Sequence, residues 1–332
     1  MTEKKYKSDI DTSLSLSGKK WKEGLIPLVS ISCITYNHEK YIEDALKGFL
    51  SQKTTFPVEI LIHDDASTDG TPDIIKKYER EFPQLIKPIY QTENQHSKKD
   101  GTLGQIQRRR ALGKYYATCE GDDYWTDPDK LQKQIDFLEK HPDYVMSCGG
   151  YESLHVETGE RKTEIEKRLL KNGNGFTFTL SEMSMIFFTK TLTSVFRMDI
   201  MKKSVEAIRN YNGSRDTHLF YHIMKHGKGY YFGNVLGVYR IHRGGVKSLV
   251  GDRTNKLSAL NRSKEMFEKN RDYYTRALYF RSVVSLFRYN LTHKYAGNTV
   301  KHQIQLLFQL IWLILSPRML WHFLKTYVKI KL

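Results

Sequence analysis

The feature that most constrains the fold is the alternation of strand-like and helix-like segments between residues 27 and 140. The strand-like segments are β-branched apolar runs: "PLVSISCIT", "VEILIHDD", "LIKPIY" and "KYYATCE". After the fourth run, Leu131, Ile135 and Leu138 recur at helical spacing, and we expect Thr126 or Asp127 as the N-cap, with Pro128 in the first turn. This alternation predicts an α/β fold with a mostly parallel sheet flanked by helices.

Polar side chains follow three of the predicted strands at the points where they end. In open α/β sheets ligands bind beyond the carboxyl ends of the strands, so we expect these clusters to meet at one edge of the sheet. They are Thr35, Tyr36, Asn37 and Glu39 after the first strand, Asp64, Asp65, Ser67 and Asp69 after the second, and Glu120, Asp122 and Asp123 after the fourth.

The cluster after the fourth strand places three carboxylates within four positions. Like charges this close raise one another's pKa values unless a cation lies between them. Oxygen ligands suit the hard cations Mg²⁺ or Mn²⁺, and this is the functional interpretation of the cluster. The alternative interpretation is a solvated acidic turn at the start of the next helix.

The charge of the chain is concentrated towards its end. Lys and Arg outnumber Asp and Glu by 53 to 37, and residues 273–332 contain no Asp or Glu. The apolar segment "IQLLFQLIWLILS" in this region is shorter than the roughly 20 residues that cross a bilayer. With basic and aromatic residues around it, the segment predicts a helix lying on an anionic membrane surface. A core or dimer helix is the alternative.

The beginning of the chain and its cysteines indicate the compartment. "MTEKKYKSDIDTSLSLSGKK" lacks the apolar stretch of a signal peptide, so we expect a flexible arm over residues 1–24 and a cytoplasmic protein. Cys33, Cys119 and Cys148 show no paired spacing, which predicts reduced thiols.

Three motifs in order carry a resemblance to a known family. "VSISCITYNHEKYIEDALKGFLSQ", "ILIHDDASTDGT" and "GKYYATCEGDDYW" together resemble the N-terminal half of family 2 glycosyltransferases, which have the Rossmann-like GT-A fold. The resemblance runs from about residue 27 to 151 and resumes more weakly over "TLTSVFR" and "GYYFGNVLGVYRIHRGG". It implies sugar transfer from a nucleotide-sugar donor with inversion at the anomeric carbon.

The resemblance implies a donor-binding set at the ends of the first two strands. The turn after the first strand matches the segment that contacts the nucleoside, through Thr35, Asn37 and Glu39. Asp64 and Asp65 match the acidic pair that accepts hydrogen bonds from the base or ribose. The alternative for this pair is simple strand termination.

The resemblance also implies the metal and catalytic residues. Glu120 and Asp122 stand at the DXD motif, which binds Mn²⁺ or Mg²⁺ and the donor diphosphate, with Asp123 adjoining; the family more often has Asp at the first position. Asp216 aligns with the general base, and His242 with a histidine that completes the metal shell. A helix N-cap at Asp216 and an ordinary histidine at 242 are the alternatives.

One residue of the family pattern is missing before the fourth strand. The resemblance implies an arginine at about position 104, where this chain has Gly104. Arg108, Arg109 and Arg110 lie a turn or more later, and they are interpreted either as a phosphate contact or as a solvated face.

Together these observations predict a domain order and a function. We expect a GT-A domain over residues 25–250, with a nucleotide-sugar-binding half (25–151) and an acceptor-binding half (152–250), followed by a basic helical extension over 251–332. The expected activity is metal-dependent inverting transfer from a nucleotide-sugar, a UDP-sugar by preference, to a lipid-linked glycan in surface polysaccharide biosynthesis. The enzyme would lie on the inner face of the cell membrane.

Other function classes fit the sequence less well. The first strand is not followed by a glycine-rich phosphate loop, which disfavours nucleotidyltransferases, nicotinamide dehydrogenases and P-loop kinases. No nucleic-acid-binding module is recognisable, so nucleic acid is not an expected partner. The remaining alternative is a catalytically degenerate GT-A protein that serves as a membrane-docked scaffold and binds nucleotide without turnover.

Overall fold

The structure, a computed structural model, describes residues 13–22, 24–98, 101–170, 174–186, 188–209, 211–212, 216–245, 251–293, 305–309 and 311. The chain divides into two compact units. The first comprises Met1–Thr177, Thr189–Arg209 and Gly213–Arg240, and the second Phe178–Phe188, Asn210–Asn212 and Ile241–Leu332. The first unit ends at Arg240, before the predicted domain boundary at residue 250.

The elements alternate as predicted through the first half of the chain and continue in a mixed order. They are β1 (Val29–Thr35), α1 (Ile42–Leu50), β2 (Val58–Asp64), α2 (Thr71–Glu81), β3 (Ile86–Tyr90), α3 (Thr102–Arg110), β4 (Tyr115–Thr118), β5 (Tyr124–Trp125), α4 (Lys130–Lys140), β6 (Tyr144–His155), β7 (Arg161–Glu164), β8 (Gly175–Phe178), α5 (Leu180–Met185), β9 (Val195–Arg197), α6 (Met198–Ile208), α7 (Asp216–Met224), β10 (Lys228–Ile241), α8 (Asp252–Asn270) and α9 (Tyr273–Thr292).

The strands of the described residues form one sheet in the order β3-β2-β1-β4-β9-β6-β10-β5, with β7 on β6 and β8 on β10. β3, β2, β1 and β4 are parallel, whereas β9 is antiparallel to β4 and β6, and β5 is antiparallel to β10. The predicted α/β class with flanking helices is confirmed. Parallel pairing, predicted for most of the sheet, joins β3, β2, β1 and β4, and β9 then pairs antiparallel with both of its neighbours.

The core of the first unit lies around β1 and β2. Every residue of β2 is buried, as expected for a strand covered on both faces. The three cysteines are free and buried, which agrees with the predicted reduced thiols. The predicted arm is not loose at Leu16, because this side chain is fully buried in the core and its N–H donates to Gln52 O at 2.8 Å.

Two local predictions are wrong for identifiable reasons. α4 begins at Lys130, and its N-cap position is Asp129 rather than Thr126 or Asp127. Asp127 Oδ1 instead accepts the N–H of Asp129 at 2.9 Å, so a local side-chain turn that includes Pro128 precedes the helix. The polar stretch from residue 152, for which no strand was predicted, continues β6 and pairs with β7, because charged side chains occupy an exposed hairpin.

The second unit is helical in its described part, as predicted. α9 packs against both α5 and α8, around a small apolar core: Leu260, Tyr279, Val283, Leu286 and Leu306. Most of the apolar segment "IQLLFQLIWLILS" lies outside the described residues. Among the helices that the structure describes, none has the length and apolarity needed to cross a bilayer.

Candidate active site

Side-chain hydrogen bonds join the loops that follow β1 and β2. Asn37, at a φ of 55°, accepts the N–H of Thr68 at 2.8 Å through Oδ1. Glu39 accepts the N–H of Gly70 at 3.1 Å, and its own N–H donates to Asp69 Oδ2 at 3.1 Å. The Asn37 and Glu39 side chains therefore fasten the two loops together, and direct nucleoside contact by either stays a prediction.

The two adjacent aspartates at the end of β2 have different surroundings. Asp65 uses both carboxylate oxygens, accepting Gln95 N at 2.7 Å and His96 N at 3.0 Å, so it holds the loop after β3. Asp64 accepts Ser67 N at 3.2 Å through Oδ2, while its buried Oδ1 has no partner among the described residues. Burial raises the pKa of Asp64, although the bonds from Ser67 partly oppose this shift. Asp64 thus retains an unused acceptor.

The acidic turn after β4 lies directly against the end of β1. Gly121 N donates to Ile34 O at 2.9 Å, and a Cβ at position 121 would lie only 2.5 Å from Thr35 Oγ1. Thr35 is buried, and its Oγ1 lies 3.1 Å from His38 Nδ1. The other ring nitrogen, His38 Nε2, lies 3.8 Å from Asp122 Oδ2. The first and third polar clusters therefore converge, and His38 is a neighbour of Asp122 that the sequence analysis missed.

Glu120 interacts electrostatically with Asp216. Its side chain is solvent-accessible, and Thr191 Oγ1 lies 3.4 Å from Glu120 Oε2. Desolvation by the surrounding protein is the largest cause that raises the pKa of Glu120, and the negative charges of Asp216 and Asp122 raise it further. Asp216 is the exposed first residue of α7. Electrostatic interaction between Glu120 and Asp216 thus joins two predicted site residues that are distant in sequence.

The side chain of Asp123 is buried in this turn and hydrogen-bonded to β10. It is 2% exposed, and its Oδ1 accepts the backbone N–H of Arg240 at 2.8 Å. Burial, followed by the charges of Asp122 and Glu120, raises the pKa of Asp123. The sequence signal for Arg240 was available, because an arginine interrupts the apolar run of β10.

Among the three arginines of α3, Arg110 has contacts that decide between the two interpretations given above, a phosphate contact or a solvated face. Arg110 donates to Gln107 Oε1 at 3.0 Å, Ile62 O at 3.3 Å and Lys87 O at 2.5 Å. Its guanidinium therefore ties α3 to β2 and β3, so neither a phosphate contact nor a solvated face describes Arg110.

His242 follows the last residue of β10 and belongs to the second unit. It is 7% exposed. Its role as a metal ligand stays a prediction.

The donor atoms gathered in the first unit fit a divalent cation. The carboxylates of Glu120 and Asp122 supply hard oxygen ligands, and His38 offers an imidazole nitrogen close to Asp122. Carboxylate oxygens suit both Mg²⁺ and Mn²⁺, and an added imidazole favours the transition metal.

The α/β fold, with acidic residues beyond the carboxyl ends of its parallel strands, defines a glycosyltransferase of the GT-A type. Residues 30–204 match the family described as glycosyl transferase family 2, and the chain belongs to this family.

Curated relatives share part of this chain. An uncharacterized protein of Mycobacterium tuberculosis is 50% identical over 138 residues, which cover 41% of this chain and 38% of the relative. The putative teichuronic acid biosynthesis glycosyltransferase TuaG of Bacillus subtilis is 38% identical over 139 residues, which cover 42% of this chain and 50% of TuaG. The chain thus spans at most half the length of these two relatives. Two of the relatives, TuaG and the chondroitin synthase of Escherichia coli, have names that refer to polysaccharide synthesis.

Solved structures share the fold at low sequence identity. S. aureus TarS 1–349 in complex with UDP-GlcNAc superposes with a TM-score of 0.58 at 17% identity, covering 91% of this chain and 89% of that fragment. The mannosyltransferase PcManGT from Pyrobaculum calidifontis, in complex with GDP-Man and Mn²⁺, gives a TM-score of 0.51 at 15% identity, covering 92% of this chain and 87% of PcManGT.

Proposed function

We propose that this glycosyltransferase moves a sugar, with inversion and with the help of a divalent metal, from a nucleotide-sugar to a hydroxyl of a lipid-linked glycan in surface polysaccharide biosynthesis. The observation that carries the proposal is the convergence of the acidic turn and the end of β1, where Gly121 N donates to Ile34 O at 2.9 Å and His38 Nε2 lies 3.8 Å from Asp122 Oδ2. The acidic residues that would hold the donor diphosphate therefore lie beside the proposed nucleoside loop.

Asp64 supports a uracil-containing donor. Its buried Oδ1 lacks a partner among the described residues, and a buried acceptor is costly to leave unpaired. The N3–H of uracil would satisfy it, whereas unprotonated cytosine has no hydrogen at N3. The complexes of TarS with UDP and UDP-GlcNAc support the same choice of base.

Glu120 and Asp122 would hold the metal, with His242 completing the set as the resemblance implies. A bound Mn²⁺ or Mg²⁺ supplies Lewis-acid neutralisation of the charge that develops on the leaving diphosphate. The Mn²⁺ in the PcManGT structure supports this assignment.

Asp216 would accept the proton of the attacking hydroxyl. The side chain is exposed at the start of α7, so an acceptor can approach it. A base that acts on the face opposite the leaving group gives inversion.

Membrane association is proposed from the second unit. Leu291, Leu307, Phe308 and Ile311 are exposed, and the chain has no acidic residue after Asp272. Apolar side chains among basic residues favour the surface of an anionic bilayer. Sedimentation with phosphatidylglycerol vesicles tests this: the enzyme should pellet with them but not with phosphatidylcholine vesicles, and equal recovery in both supernatants would contradict membrane association.

The donor site is tested by thermal shift with UDP, GDP, CDP and dTDP, each with Mn²⁺ and with a chelator, on the native enzyme and on Asp122→Asn. A ligand that binds the folded state raises the melting temperature by mass action. We expect metal-dependent stabilisation by UDP that is lost in the variant. No shift with any nucleotide, from folded protein, would remove the donor-site proposal.

The scaffold alternative makes a different prediction for turnover. A degenerate protein would bind UDP but release none from a panel of UDP-sugars in the presence of glycan acceptors. Detection of UDP release in excess of that from Asp122→Asn would exclude the scaffold.

A further inference from the structure

Arg240 lies between two aromatic rings beside the acidic turn. Its guanidinium carbon is 4.3 Å from the ring centroid of Tyr124 and 5.2 Å from that of Tyr41. The residue is 8% exposed, so the charge is shielded from water. A buried guanidinium between aromatic faces is held firmly in one orientation, because cation–π attraction strengthens on desolvation.

Two polar contacts connect Arg240 to consecutive residues of the acidic turn. Its backbone N–H donates to Asp123 Oδ1 at 2.8 Å, and its Nη1 donates to the backbone oxygen of Asp122 at 2.9 Å. The backbone at Asp122 is therefore fixed by a side chain from β10, more than a hundred positions away in the sequence.

A third contact connects the same guanidinium to α1. Arg240 Nη2 forms an ion pair with Asp44 Oδ2, and Asp44 lies in the first turn of α1. The loop directly before α1 contains Asn37 and Glu39, which fasten it to the loop after β2. One planar side chain thus links the acidic turn to the helix that follows the proposed nucleoside loop.

We infer that Arg240 is a positioning residue that fixes the acidic turn relative to α1, so that the nucleoside and diphosphate ends of one donor molecule are bound at the same time. This inference rests on the proposed nucleotide-sugar site. Arg240 acts through Asp122 and Asp44. Lysine cannot replace it fully, because one ammonium lacks the rigid fork that reaches both partners at once.

The test compares Arg240→Gln, Arg240→Lys and Asp44→Asn in the full chain. Arg168→Gln is the matched control, since it removes an exposed pair with Glu166. Calorimetry gives the Kd of uridine, which occupies only the nucleoside end, and of UDP with Mn²⁺, which occupies both ends. Hydrogen exchange of the amides of residues 121–125 reports the order of the turn without any ligand.

We expect UDP with Mn²⁺ to bind about tenfold to hundredfold more weakly to both Arg240 variants, because small misplacements of a site are costly. Uridine should bind within about twofold of the native Kd, because Asp64 and the two fastened loops keep their own hydrogen bonds in the variants. Amide exchange at residues 121–125 should rise while β1 and β2 stay protected. Asp44→Asn keeps the arginine and should have a smaller effect in the same direction, which covers the case in which Arg240→Gln does not fold.

Other outcomes would overturn the inference. Parallel weakening of uridine and UDP together with a lower melting temperature would mean that Arg240 only stabilises the fold. If the amides of residues 121–125 exchanged at the native rate in the folded variants, this would also mean that Arg240 does not position the turn. If native protein bound no nucleotide but the turn still loosened in the variants and not in Arg168→Gln, the donor-site proposal would fail while the positioning of the turn by Arg240 would stand.

Discussion

Ser67 donates its backbone N–H to Oδ2 of Asp64 at 3.2 Å. The other carboxylate oxygen of Asp64, Oδ1, is buried and has no partner among the described residues. The arrangement separates Asp64 from Asp65, whose two oxygens are both occupied by backbone N–H groups. Of these two adjacent aspartates, which look equivalent in sequence, Asp64 is the one with a buried carboxylate oxygen that has no partner among the described residues.

Asp64→Asn should weaken UDP binding without destabilising the protein. A hydrogen bond to a charged acceptor contributes about 1.5 to 3 kcal/mol, which corresponds to roughly a tenfold to hundredfold rise in Kd. Stability should be kept, because burial already disfavours the charged form of Asp64. Calorimetry measures the Kd, and Asp73→Asn, an exposed change on α2, is the control. Equal UDP affinity in the native enzyme and Asp64→Asn would contradict the assignment.

Asp216→Asn should reduce turnover while leaving donor binding intact. General-base catalysis contributes about 10²-fold to 10⁴-fold, so kcat for UDP release should fall by that order. The Kd of UDP should change little, because Asp216 would contact the acceptor. Asp199→Asn is a matched control, since Asp199 is also an exposed acid in the first turn of a helix. A native kcat in Asp216→Asn would exclude it as the base.

Lys130→Met should stabilise the protein at neutral pH. Lys130 Nζ has no hydrogen-bond partner in the described part of the chain and lies 4.0 Å from the ring centroid of Trp125. Burial lowers the pKa of this lysine to about 7. Between that value and the unfolded pKa of about 10.4, the unfolded state binds more protons, so the contribution of Lys130 to stability rises with pH.

The measurement for Lys130→Met is urea unfolding at pH 7 and pH 10. We expect the variant to raise the free energy of unfolding by about 2 to 4 kcal/mol at pH 7, from about 1.4 kcal/mol per unit of pKa difference. The gain should shrink at pH 10, where the unfolded lysine is also partly neutral. Lys140→Met, an exposed change on the same helix, should show neither effect. A gain that is independent of pH would disprove the charge explanation.

Gly121→Ala should destabilise the acidic turn through overlap with β1. The added Cβ would lie 2.5 Å from Thr35 Oγ1, and the resulting shift should cost about 1 to 3 kcal/mol. Thr35→Gly in the same chain, which removes both Oγ1 and the Cβ that would lie 2.7 Å away, should recover part of this loss, which a double-mutant cycle of unfolding free energies measures. Gly251→Ala, where nothing lies within 4 Å of the new Cβ, is the control. Additive losses would show that the two positions do not meet.

Local patterns predicted the parallel half of the fold well, because β1, β2 and their polar ends are contiguous in sequence. The convergence of the first and third clusters followed from the general rule for strand ends and is visible at Thr35 and Gly121. The pairing of β6 with β7 was missed because its charged residues lack strand periodicity. The arginine at position 240 stands out within the apolar run of β10, but its contacts with Asp44 and Asp122 were missed because they join positions that no local pattern relates.

The bonds from Asn37 to Thr68 and from Glu39 to Gly70 also limit how this enzyme can be redesigned. An engineer who exchanges only the loop after β1 would leave the loop after β2 without the acceptors that hold it. Residues 36–41 and 66–71 therefore form one transplantable cassette. A change of nucleotide preference should be attempted by moving both segments together from a single parent enzyme.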